Sequence, residues 1–178
     1  MSATKVLKLA RSAGIRVGID GDYLTLEAPV PPPAEVLELL ERHKSEIVTL
    51  LIPRNDGWSS DDWLNFYEKQ VLIFESAGMQ SRVHAETSAF FVCIGEWSDR
   101  NPTRSQSRRC AQCGQFREMM LPHLTDYSTK DPGYTWLHQG CSQAWHNAYR
   151  IKAVSALIEI GISVPVNFAD DFDKKKDD

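Results

Sequence analysis

The chain has 178 residues, 42% of them hydrophobic and 25% charged, with a net charge of −4. No apolar run reaches the roughly 18 residues that a membrane-spanning helix needs, so no membrane partner is expected. The N-terminal stretch MSATKVLKLARSAG sets cations inside an apolar pattern and has no small-residue cleavage site, which predicts a cytoplasmic protein whose four cysteines meet a reducing compartment.

In chain order, Val6, Leu9, Ala10 and Ala13 fall at helical spacing, with Gly14 as a stop. Ile15, Val17 and Ile19 then alternate with polar or small residues, as do Leu24 and Leu26 after them. Asp20-Gly21-Asp22 between the two runs suits a tight turn, so a β-hairpin with one apolar face is expected. The stretch PVPPP cannot continue a strand. It leads into a helix expected from about Ala34 to Leu51, with Val36, Leu40, His43, Ile47 and Leu50 on one stripe. His43 on that stripe reads as a packed, hydrogen-bonded histidine.

This α-β-β-α order, with AGIRVGIDGDYLTLEAP and LLERHKSEIVTLL, resembles the small N-terminal docking module of tubulysin-type non-ribosomal peptide synthetase subunits over about the first 52 residues. The resemblance implies that a short tail of a partner protein lies alongside the hairpin and extends its sheet. Arg16, Val17, Gly18, Ile19, Tyr23 and Thr25 are the candidate contacts. The same pattern also serves as a plain packing unit, because a two-stranded sheet needs helical cover in any case.

A linker with Asn55-Asp56-Gly57 follows, and Ser60 is the expected cap of a helix whose first turn carries Asp61 and Asp62. Trp63, Phe66, Tyr67, Val71 and Phe74 give that helix a broad apolar face, and Gly78 ends it. A further helix is expected from about Ser81 to Trp97, with Cys93 on its apolar stripe as a buried thiol. This helical middle has no glycine-rich phosphate loop and no paired carboxylates, so neither catalysis nor a small-molecule substrate is expected. Its charge differs from that of the part that follows. Residues 54–100 carry four basic and eight acidic side chains, whereas residues 101–160 carry seven basic and four acidic.

The chemistry concentrates in the basic part. Cys110-Ala-Gln-Cys113 is a metal-knuckle spacing, and His138-Gln-Gly-Cys141 lies downstream, where a helix is expected to start at His138. Ligands three apart in a helix are about 60° apart and can meet one ion, whereas His146, five beyond Cys141, is turned away by about 140°. The expected tetrad is Cys110, Cys113, His138 and Cys141, with Trp145 covering it; His146 and His123 remain alternatives to His138. Three thiolates and an imidazole suit structural Zn2+, since four protein ligands leave no open position for catalysis. The intervening strand candidates, GQFREMMLPHL and GYTWLH, complete a knuckle, hairpin and helix, the order of a treble clef. The chain is thus expected to be α+β and mainly α. Its expected parts are an αββα module at 1–53, a helical and zinc-finger-like domain at 54–163 and a flexible charged tail at 164–178.

The stretches FFVCIGEWSDRNPTRSQSRRCAQCG, MLPHLTDYSTKDPGYTWLHQGCSQAWH and KAVSALIEIGI resemble a group of small alphaproteobacterial proteins over about residues 5–163. Those proteins pair a docking-like front with a finger-like rear, and the resemblance implies this architecture without an activity. They tend to read Leu-Pro-Phe where this chain has Leu121-Pro122-His123, so the resemblance does not imply His123 as a ligand. Two functions fit these features. The first is a non-enzymatic zinc-binding adaptor with a protein or peptide partner. The second is a nucleic-acid-binding accessory protein that uses Arg104, Arg108, Arg109, Arg117, Arg150 and Lys152 near the finger.

Overall fold

A computed structural model describes residues 1–78, 81–105, 109–116, 119–126 and 133–168. Its described elements are mainly helical, with two two-stranded antiparallel sheets, so the class is α+β. The chain divides into two compact units, Met1–Asn65 and Phe66–Asp178.

The first unit opens with α1 (Ala3–Ser12), capped by Ser2, whose side chain accepts from the Lys5 backbone N–H. β1 (Arg16–Asp20) and β2 (Tyr23–Glu27) follow as a hairpin in the register Val17↔Leu26 and Ile19↔Leu24. Its two-residue loop starts at Gly21, whose φ of +57° lies in the left-handed region that glycine enters without a Cβ clash. The helix expected from Ala34 to Leu51 is two helices, α2 (Ala34–Arg42) and α3 (Lys44–Leu51). They part at His43, where ψ opens to 15°. A straight helix would carry its stripe past α1; the break lets Val36 and Leu40 from one half, and Ile47 from the other, enter one core. Val6, Leu7, Ala10 and Ile15 fill the rest of it. Burying each of the larger aliphatic side chains is worth about 1.5–3 kcal/mol. His43 is mostly buried and meets the Glu46 carboxylate at 3.3 Å, as a packed histidine should.

The first unit runs past the expected boundary at 53. Pro53 forms a β-bridge with Ser59, and α4 (Ser60–Ser76) begins against α1, where the Arg11 guanidinium pairs with the buried Asp61 carboxylate and donates to Asn65 at 2.9 Å. The cap of α4 is Ser59, one residue before the expected Ser60. Ser59 Oγ accepts from the Asp62 N–H at 3.1 Å, while the Ser59 N–H and hydroxyl both donate to the Asp62 carboxylate. That is a reciprocal box with aspartate in place of the usual glutamate. Fully buried Trp63 is held by its indole N–H donating to Asp56 at 3.0 Å.

In the second unit, the Phe66–Ser76 part of α4 packs against α5 (Arg82–Arg100) through Tyr67, Val71 and Phe74 onto Ala85 and Ala89. Cys93 is fully buried on α5, and burial, with Glu96 adding to it, pushes its thiol up to about 12. β3 (Met120–Asp126) pairs with β4 (Gly133–His138), and α6 (Gln139–Ile160) follows directly. β3 begins later than expected. Tyr149 on α6 stacks on Trp145 with ring centroids 4.8 Å apart, lies 5.5 Å from the Trp97 ring, and donates its hydroxyl hydrogen to the carbonyls of Ser98 and Asn101. This aromatic column ties the end of α5 to α6. Beyond Gly161, part of the stretch expected to be a free tail folds back. Phe168 is buried, 5.0 Å from the rings of Phe90 and Phe91. The rest of that tail, 169–178, lies outside the described residues.

Candidate metal centre

The knuckle is shaped by its own backbone. Cys110 O accepts from the Gly114 N–H at 2.8 Å, and the Cys110 N–H donates to Gln115 O at 3.1 Å. The turn closes because Gly114 adopts φ +70°, a conformation that an L side chain rarely takes. The knuckle is also docked. The Ala111 N–H donates to Trp136 O at 2.9 Å, which fixes the Cys110–Cys113 turn to the edge of β4.

The opposite pair of side chains comes from a strand-to-helix junction. Sequence spacing placed His138 and Cys141 together in one helix. Instead, His138 is the last residue of β4 and the extended N-cap of α6 (φ −68°, ψ 149°), and Cys141 lies in the first turn. The convergence is the same as expected, by a different route.

Cys110, Cys113, His138 and Cys141 offer one donor atom each, and these atoms all lie within 4.8 Å of one another. His138 Nδ1 is 3.4 Å from Cys113 Sγ and 3.8 Å from Cys141 Sγ. Cys110 is buried, Cys113 is exposed, and Cys141 and His138 are half-buried. This cluster can hold a metal ion. Among the described residues no other group of three or more Cys, His, Asp or Glu side chains converges in this way.

The thiols respond to their crowding. Burial raises the Cys110 thiol, but backbone donors of His138, Cys113 and Gln112, together with the Cys113 thiol, outweigh it and bring the group down to about 7. Cys141 is pushed up to about 11, by burial first and then by the hydrogen bonds and charge of Cys110 and Cys113. Without a cation, the site tolerates one negative charge and resists the next.

Trp145 covers the cluster as expected. It packs with Cys110 and Leu137, and Cys141, Met120 and Tyr149 join them. His123 and His146 lie outside the tetrad and face each other, with ring centroids 5.4 Å apart. Partial burial, His123 and Arg150 together push His146 below its ordinary value. The Nε2 atoms of His123 and His138 are buried and have no hydrogen-bond partner among the described residues.

The expected cations scatter. Arg109 is exposed beside Cys110, with its guanidinium 3.4 Å from Gly114 O. Arg104 precedes Ser105, which is hydrogen-bonded to β4. Arg150 and Lys152 are two residues apart on α6, about 200° around the axis, and cannot share one face. Arg108 and Arg117 lie outside the described residues. In the first unit, Arg16, Val17, Gly18 and Ile19 line an open groove of about 560 Å³ along the outer edge of β1, completed by Arg11, Leu51 and the start of α4. Tyr23 and Thr25 are not part of that lining. Lys44 lies over the Tyr23 ring at 5.3 Å, and Thr25 stands opposite Gly18.

No family model matches the chain, and no curated protein or solved structure proves similar to it. No helix among the described residues is long and apolar enough to cross a membrane.

Proposed function

We propose that the protein is a non-enzymatic adaptor whose rear unit is stapled by one structural zinc ion and whose front unit docks an extended segment of a partner protein. The convergence of four soft donors carries the zinc reading. Tetrahedral zinc, with bonds of about 2.3 Å to sulfur and 2.0–2.1 Å to nitrogen, sets its ligand sulfur and nitrogen about 3.6 Å apart. The two sulfur–nitrogen distances at His138, 3.4 and 3.8 Å, bracket that value. A dication also removes the charge conflict among the thiols. Four protein ligands fill the shell, which suits a structural ion rather than a catalytic one. The order of knuckle, hairpin and ligand-bearing helix agrees with a treble clef.

The groove along β1 supports docking. An outer strand offers unpaired backbone donors and acceptors, and a partner strand can add to it. Six consecutive residues, Gly14–Ile19, line the groove, as strand addition requires.

Elemental analysis tests the zinc. Wild type and Cys93→Ala should purify with about one zinc per chain, and Cys110→Ser and Cys141→Ser should lose most of it; full occupancy in either serine variant removes that residue from the site. Photo-cross-linking in the producing cells tests docking. A cross-linking side chain at Arg16 should capture a discrete protein that the same group at exposed Lys5 does not. Equal capture at both positions, or none, rejects the groove.

A further inference from the structure

β4 alternates strictly. Gly133, Thr135 and Leu137 are buried, whereas Tyr134 is 42% exposed and Trp136 is half-buried on the other face. Two aromatic rings therefore stand in a row on the open side of the hairpin, on the strand that ends at the ligand His138. Pro122 on β3 is directly opposite Trp136 and is exposed as well. The other edge of β4 is held by Ser105, whose N–H donates to Tyr134 O at 3.3 Å and whose hydroxyl accepts from the Trp136 N–H at 2.7 Å. That pairing brings the Arg104 segment alongside the aromatic strand, and the knuckle brings Arg109 to the same edge through Ala111 and Trp136.

We infer that the open face of β4, with Tyr134 and Trp136 as stacking rings and Arg104 and Arg109 at its edge, binds single-stranded nucleic acid. Aromatic rings interleaved with cations form the sequence-tolerant platform that unpaired bases use. The spacing selects the strandedness. Alternate residues of a strand are about 7 Å apart, twice the roughly 3.4 Å repeat of a stacked strand. Two neighbouring bases must splay apart to cover both rings; a single strand can do this and a duplex cannot. The charge agrees, because the seven basic and four acidic side chains of residues 101–160 give this part of a net negative chain the opposite sign. A ligand here needs no open metal position, so the zinc acts only by holding the knuckle and its arginine against β4. The site and the β1 groove belong to different units, and each is read out independently of the other.

The test is a fluorescence-anisotropy titration of the full-length, zinc-loaded protein with a labelled oligothymidine, its duplex form and an abasic strand of equal charge. The oligothymidine should bind in the range of about 1–100 µM at physiological salt. Tyr134→Phe, which keeps the ring, should bind like wild type, whereas Tyr134→Leu should weaken binding about tenfold through the loss of one stacked base, and Arg109→Ala should weaken it and flatten its salt dependence through the loss of a phosphate contact. Zinc content and thermal unfolding should match wild type in all three. Equal affinity for the abasic strand or the duplex overturns the inference in favour of charge alone. No binding even at low salt overturns it outright. A proline-rich peptide that binds where the oligonucleotide does not would make this face a peptide site.

Discussion

Cys93 shows how a residue's surroundings decide its chemistry. It lies at zero exposure on α5, away from the cluster of the other three cysteines, and has its thiol held at about 12 by burial. Its sequence position on an apolar stripe already set it apart from the ligands, because helical spacing reports burial directly. A free thiol ionises near about 8.5, so the folded value is raised. The stabilising effect of the neutral, buried thiol is complete below that unfolded value and is lost as pH rises towards 12. At pH 8, iodoacetamide should leave Cys93 unmodified in the native protein and label it rapidly in denaturant, with peptide mapping by mass spectrometry as the readout. Rapid native labelling would mean that α5 opens locally.

At the scale of elements, patterns that depend on local period were legible and boundaries set by tertiary packing were not. The hairpin is at its expected place because Gly21 and the two alternating runs specify it within a dozen residues. The α2–α3 break was hidden, since the stripe from Val36 to Leu50 is continuous and only the need to pack on α1 interrupts it. The cap of α4 was displaced by one residue for a related reason. Two serines stand in a row, and the choice falls on Ser59 because the Pro53–Ser59 bridge fixes it and the Asp62 carboxylate can answer it. Ser59→Ala should therefore cost about 1 kcal/mol or more, whereas Ser60→Ala should be nearly neutral. Urea denaturation followed by circular dichroism distinguishes the two; equal losses would show that the box does not hold the helix. The convergence of Cys110, Cys113, His138 and Cys141 was legible from spacing alone, but its route was not, because a strand end and a helix start both bring residues three apart to one point.

At the scale of the whole molecule, the zinc proposed above makes the two units depend on the ion differently. The front unit has its own aliphatic core, built from α1, Ile15, α2 and α3. The small cluster at the candidate metal centre, Cys110, Leu137 and Trp145 with their neighbours, includes the candidate ligands Cys110 and Cys141, so repulsion between their thiolates would act directly on its packing. Binding that favours only the folded state adds directly to its stability. Without an ion, three thiols compete for one point, with Cys141 raised to about 11 and Cys110 lowered to about 7, and the zinc proposed above would relieve that competition. Metal and protons compete for the same sulfur atoms, so affinity must fall as pH falls. On the zinc reading, a strong chelator at neutral pH should remove the ring-current-shifted NMR signals of Leu137, Trp145 and Tyr149 while those of Val6, Leu7, Ile15 and Ile47 keep their native positions. Acidification should release the same metal without chelator, and returning to neutral pH with zinc present should restore the signals. Loss of both sets together would show that the ion supports the entire chain, and retention of both would show that it supports neither unit.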